Sequence, residues 1–306
     1  MRFGKFLAGA TALSLLSGCA PASNDPTATA SVAALNRADA DPALWLVEDA
    51  DTKIYLFGTV HLLKPDLVWF DDEVAQAFAA SDTLMLEMVE PPMAEMQKIV
   101  MAKGIDASGA KLRDKLTDEQ RAKYDKVLTD TGMPVGALDR LQPWMAAVTL
   151  SLAPMQKLGF DQNKGVERSL TGIAREKGKT VEGFETAEQQ LSFFSDMPQV
   201  QQIGYLMSVI DGMPEYQSMM GRMETNWATG DVEALNTLLN ESMAGMPEVS
   251  KVLLADRNAR WAQWIETRMA MPGTVFVAVG AGHLAGGDSV QAMLKGRKLN
   301  AKRIDY

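Results

Sequence analysis

Short apolar runs of β type lie toward both ends of this 306-residue chain, and between residues 90 and 270 the pattern is mostly helical. Leu44–Val47 and Lys53–Phe57 read as a hairpin around Glu48-Asp49-Ala50-Asp51. Thr83–Met88, Lys179–Phe184, Thr274–Val279 and Leu299–Ile304 read as further strands. The early runs are too few to bury their own faces, so the first and last strands must meet in one sheet. The spacing predicts an α+β fold with α/β character, a single domain in which the helical middle forms a lobe or cover. Helices are expected over 71–80, 118–130, 144–157, 164–177, 186–195, 198–211, 232–241 and 247–269, several of them opened by Thr117, Pro143 or Asp231.

The amino terminus reads as an address. Arg2 and Lys5 precede an apolar run from Phe6 to Leu16, and Leu16-Ser17-Gly18-Cys19 follows. The run is too short to span a bilayer. Its end resembles the lipobox of bacterial lipoproteins, with Cys19 lipidated and Ala20 after it favouring the outer membrane, facing the periplasm. Cleavage near Ala20-Pro21-Ala22 would instead release a soluble periplasmic or secreted protein. Residues 1–19 are therefore expected as a signal with lipobox, 20–42 as a flexible tether, and 43–306 as the folded domain. Cys19 is the only cysteine, which excludes an internal disulfide and leaves any metal to histidine and carboxylate ligands. A formal charge of -9 without a basic stripe argues against nucleic acid as a partner.

Only two histidines are present, and both sit three residues after a glycine that follows a strand: Gly58-Thr59-Val60-His61 and Gly280-Ala281-Gly282-His283. That placement presents each imidazole at the carboxyl end of a strand, where open sheets bind ligands. Either histidine alone would read as a turn or core residue; the matched pair points to one site. Glu87 interrupts the apolar strand Leu84–Met88, and a buried carboxylate must be paired, ligated or protonated. Glu185 stands at another strand exit, where it either faces the site or opens the next helix. Two imidazoles and a carboxylate can hold a divalent ion (Mn, Co, Zn or Fe) that activates water, with His61, Glu87 and His283 as ligands. Without metal, the same groups support acid–base hydrolysis. His-Glu-x-x-His, Gly-x-Ser-x-Gly and phosphate-loop motifs are all lacking.

These residues, together with Leu141-Gln142-Pro143-Trp144, Glu185-Thr186-Ala187-Glu188-Gln189-Gln190-Leu191 and Asp256-Arg257-Asn258, resemble the TraB/GumN family. That family is related to the Tiki membrane proteases and more distantly to erythromycin esterases and a haem-binding envelope lipoprotein. The resemblance implies a β-sheet core with helices, two converging Gly-x-x-His motifs and, by the Tiki branch, metal-dependent hydrolysis. Carried over by position, it makes His61 and His283 ligands or acid–base groups with Glu87 beside them, and places Arg257 and Asn258 along the pocket. Arg257 would then clamp a substrate carboxylate or an oxyanion. The 20 methionines are scattered and read as core or groove filler rather than a copper surface, and Trp144, Trp227, Trp261 and Trp264 as helix-packing anchors. The expected function is a cell-envelope hydrolase, metal-dependent, acting on a peptide or other acyl bond of an unidentified peptide or small molecule. A metal-independent esterase-like hydrolase and a non-catalytic haem-, metal- or ligand-binding lipoprotein are the alternatives.

Overall fold

A computed structural model describes residues 38–305 apart from Ala244. The expected signal, the expected lipobox with Cys19 and the expected tether up to residue 37 lie outside the described residues. Residues 38–42, expected at the end of the tether, belong to the fold: Ala38 and Asp39 form a strand, and Ala40 is buried.

The strands are β1 (Ala38–Asp39), β2 (Leu44–Glu48), β3 (Thr52–Thr59), β4 (Leu67–Val68), β5 (Thr83–Met88), β6 (Thr180–Glu185), β7 (Gly273–Gly280) and β8 (Lys302–Ile304). The helices are α1 (Asp72–Ala80), α2 (Met93–Gly104), α3 (Asp118–Thr131), α4 (Pro143–Lys157), α5 (Val166–Glu176), α6 (Ala187–Ser195), α7 (Gln199–Gly212), α8 (Tyr216–Ala228), α9 (Val232–Ser242), α10 (Pro247–Ser250), α11 (Asp256–Arg268) and α12 (Val290–Gly296). The fold is α+β, built on a mixed six-stranded sheet of order β6-β5-β7-β3-β2-β8, with β1 and β4 pairing apart from it.

The late strand β7 lies between the early strands β3 and β5, parallel to both. Thr52 to Thr59 pair with Gly273 to Gly280 along their full length, which closes the chain's two ends into one sheet. Strand alternation then sends side chains to two cores. Ile54, Leu56, Met85, Val275, Val277 and Val279 pack with Trp261, Ala262 and Ile265 of α11 and Leu294 of α12. Phe57, Leu84, Leu86, Met88, Phe276 and Ala278 face the larger helical side.

Three differences from expectation have local causes. Leu299 does not begin the last strand: its N–H caps Leu294 and Lys298 takes a left-handed φ of 63°, so these residues finish α12 and β8 starts at Lys302. The helix expected over 247–269 runs as α10, a π-helical turn at Lys251–Ala255, and α11. Helices α2, α8 and α12 are additional; α2 carries only a weak apolar stripe, the stripe of α8 is built of methionine and aromatic residues (Tyr216, Met219, Met220, Met223, Trp227), and α12 is only seven residues long. Among the described residues no helix is long and apolar enough to cross a membrane.

Candidate functional site

Parallel pairing of β6, β5, β7 and β3 brings four carboxyl ends to one edge, and each delivers one residue there. In spatial order these are Glu185, Glu87, His283 and His61. His61 follows β3 by two residues, and His283 lies in a short 3-10 turn, Ala281–Leu284, directly after β7.

The glycines of the two Gly-x-x-His motifs have steric causes that link the motifs. A Cβ on Gly58 would stand 3.1 Å from Ala281 Cα and 3.2 Å from its Cβ, so the glycine of the first motif admits the backbone of the second. A Cβ on Gly280 would stand 3.0 Å from Glu87 Oε1. That same oxygen accepts the Gly280 N–H at 2.7 Å. At both positions a side chain would press on its neighbour by a few tenths of an ångström, so the glycines favour the close packing of the strand ends.

Arg257 is the hub. α11 directs it into the sheet edge, where only 1% of it is exposed. Its Nε donates to both Glu185 oxygens (3.0 and 3.1 Å) and its Nη2 to Glu87 Oε2 and to Glu185 Oε2 at 2.7 Å. Its Nη1 donates to Leu253 O at 3.1 Å and to His283 Nε2 at 3.0 Å. A guanidinium has five N–H donors, and all are spent here. Gln190, on α6, donates to Glu87 (3.2 Å) and Glu185 (3.1 Å). It reaches them because Thr186 and Gln189 form a capping box that starts α6 immediately after β6. Trp261 lies against the His283 ring with centroids 4.4 Å apart and 4.7 Å from the Arg257 guanidinium carbon, so it belongs to this cluster as well as to the helix packing.

Donor chemistry assigns the His283 tautomer. Arg257 can only donate, so Nε2 accepts and Nδ1 carries the proton toward Asn258 Oδ1, 2.6 Å away. Asn258 in turn donates to Asp288 O at 2.7 Å. Burial, reinforced by the neighbouring Arg257, pushes His283 down to about 3, so the ring is neutral. Burial alone would raise Glu87, but Arg257 and then the two histidines outweigh it and hold the carboxyl well below the usual range.

His61 has a different partner. Glu167 Oε1 stands 2.7 Å from His61 Nδ1, a close ion-pair contact rather than a well-aligned hydrogen bond. The Thr59 hydroxyl donates to the same oxygen. Gly165 makes this possible: a Cβ there would come within 2.3 Å of His61 O, so only glycine lets the start of α5 press onto the loop after β3. Val166 N–H then donates to Val60 O at 3.0 Å and fixes the approach. Burial disfavours a charged His61, yet Glu167 more than compensates and raises it above the ordinary imidazole value. The same pairing lowers Glu167 against its own burial.

Both histidines line one cavity of about 70 Å³, walled by Met155, Phe160, Met223, Leu235, Leu239 and Met243 among others. Glu87, Glu185, Arg257 and Asn258 join the cluster behind His283 rather than the cavity lining. Arg257, with no donor left, holds Glu87, Glu185 and His283 in place instead of reaching a substrate. Asn258 orients His283. As arranged, the three expected ligands do not fit a divalent ion: His283 Nε2 faces a cation, and both Glu87 oxygens accept protein donors. Among the described residues no group of three or more His, Cys, Asp or Glu side chains is placed to hold a metal.

Glu167 and Gln190 are the residues that sequence reasoning did not single out. Glu167 sits in the first turn of an amphipathic helix, where an acid is ordinary. Its one signal is the preceding Gly165.

The chain matches the model of the TraB/PrgY/gumN family over residues 43–303. An uncharacterized protein of Treponema pallidum (strain Nichols) is 21% identical over 269 residues, 83% of this chain and 80% of that protein. The uncharacterized protein YbaP of Escherichia coli (strain K12) is 21% identical over 258 residues, 83% of this chain and 92% of its own. YbaP of Shigella flexneri matches at the same identity and coverage. No solved structure matches the chain. With the match spanning all but the last residue of the six-stranded sheet and both Gly-x-x-His motifs, this chain belongs to the TraB/PrgY/gumN family.

Proposed function

We propose that this protein is a cell-envelope hydrolase that splits an ester or amide acyl bond with His61 as general base. The observation that carries the reading is the half-buried His61–Glu167 pair, whose imidazole lines an apolar cavity. No described residue hydrogen-bonds His61 Nε2, which leaves that nitrogen to take a proton from water. Water oxygen then bonds to the acyl carbon, and Glu167 stabilises the imidazolium that forms. The bond to the leaving oxygen or nitrogen breaks as His61 returns the proton to it, so the elements of water end on the two products. His283, held neutral by Arg257 and Asn258, shapes the facing wall. The envelope location rests on the signal-like residues 1–19.

The test is hydrolysis of nitrophenyl acyl esters and short peptides by the purified chain, with and without a strong chelator. Turnover that persists in chelator and is lost in His61→Gln and Glu167→Gln supports the reading. Turnover abolished by chelator and restored by Mn, Co, Zn or Fe would overturn it in favour of a metal-dependent site. Stoichiometric ligand capture without turnover would make the protein a binder.

A further inference from the structure

The cavity in front of the histidines also defines what the acyl group looks like. Beyond His61 and His283 its walls are carbon and sulfur: Met155, Phe160, Met223, Leu235, Leu239 and Met243 contribute side chains. The Thr59 hydroxyl is already committed to Glu167. No lysine, arginine, aspartate or glutamate lines it, so nothing there recognises a phosphate or a charged side chain. Ionisable groups stand at one end only. An occupant must therefore be polar at the histidine end and apolar throughout the rest.

Size narrows the class further. A volume of about 70 Å³ holds roughly two to three water- or methylene-sized groups at the ~30 Å³ each occupies in a liquid. Leu239 already presses on Gly282, where a Cβ would meet its methyls at 3.2 and 3.3 Å, so the wall beside His283 has little room to retreat. Resting on the hydrolase reading, we propose that the substrate's acyl group is a short alkanoyl chain of about three to four carbons, its carbonyl at His61 and its tail among Met223, Leu239 and Met243.

Two measurements separate this specificity from the activity it rests on. The first is kcat/KM for nitrophenyl esters from acetyl to dodecanoyl. A maximum at propanoyl to butanoyl is expected, with a fall of about tenfold or more by octanoyl. In Met223→Trp, checked for native circular dichroism, the maximum should move to shorter chains. The second is binding of free n-alkanoates from acetate to dodecanoate to the wild-type chain by calorimetry. Affinity should rise about fourfold per methylene up to butanoate and then level off. Graded alkanoate binding without ester turnover would keep the pocket and remove the hydrolase. Turnover with a flat chain-length profile, or one unmoved by Met223→Trp, would keep the hydrolase and overturn the acyl-chain pocket.

Discussion

Arg257 Nη1 stands 3.0 Å from His283 Nε2, and because a guanidinium only donates, this one contact sets the imidazole's protonation and the orientation of Asn258 beyond it. The same arginine neutralises Glu87 and Glu185 in a site with almost no solvent. Replacing it by Met leaves two buried carboxylates facing each other across Gln190. Arg257→Met should cost about 3–5 kcal/mol of stability, read as a lower midpoint in urea unfolding, whereas Arg260→Met on the exposed rim should change it little.

His283 also makes stability depend on pH. Its folded value, about 3, lies below the 6.5 of a free imidazole, so below pH 6.5 the unfolded chain binds the extra proton. Its contribution is present above pH 6.5 and is lost as pH falls toward 3. Over that window the wild type should lose up to about 1.4 kcal/mol per pH unit more than His283→Asn. Urea unfolding of both proteins at pH 7, 6, 5 and 4 reads the difference directly.

For the catalytic reading, removing the base in His61→Gln should lower kcat by about 10² to 10⁴. Glu167 raises His61, so the acid limb of the wild-type kcat/KM profile should lie above pH 6.5. In Glu167→Gln that limb should move to lower pH. A limb that stays in place would show that another group is titrating.

The steric role of the motif glycines is open to a direct check. Gly58→Ala drives a methyl against the Ala281 backbone, and Gly280→Ala drives one against Glu87 Oε1. Each should cost about 1–3 kcal/mol, while Gly287→Ala, with open space around it, should behave as wild type. Thermal unfolding of the three variants is the measurement.

At the amino terminus, Cys19→Ser should abolish incorporation of a radiolabelled or clickable fatty acid and release the protein from the membrane fraction. Unchanged membrane attachment would remove the lipoprotein reading.

The sheet was largely readable in advance. The hairpin of β2 and β3, the limits of β5 and the position of β7 all follow from short apolar runs bounded by turn residues. The meeting of β3 with β7 follows from the need to cover both faces of a sheet. Both histidines and Glu87 could be singled out because each breaks an apolar pattern or repeats a motif. Glu167 and Gln190 could not: Glu167 is an ordinary acid in the first turn of an amphipathic helix, and Gln190 an ordinary amide following a capping box, until the strand ends bring His61 and Glu87 beside them.

Local sequence by itself determined where the main strands of the six-stranded sheet lie, where several helices begin, and that two Gly-x-x-His turns would lie at strand ends, because these depend on near-neighbour sterics and hydrophobic period. It did not determine the two-residue strands β1 and β4, which carry no such period. Only the tertiary structure decided the partners: Glu167 for His61, Arg257 for His283, and an apolar cavity rather than a carboxylate cluster in front of both. Those assignments depend on contacts between residues 26 to 170 positions apart and on the burial that makes each such contact strong. No periodicity along the chain encodes either.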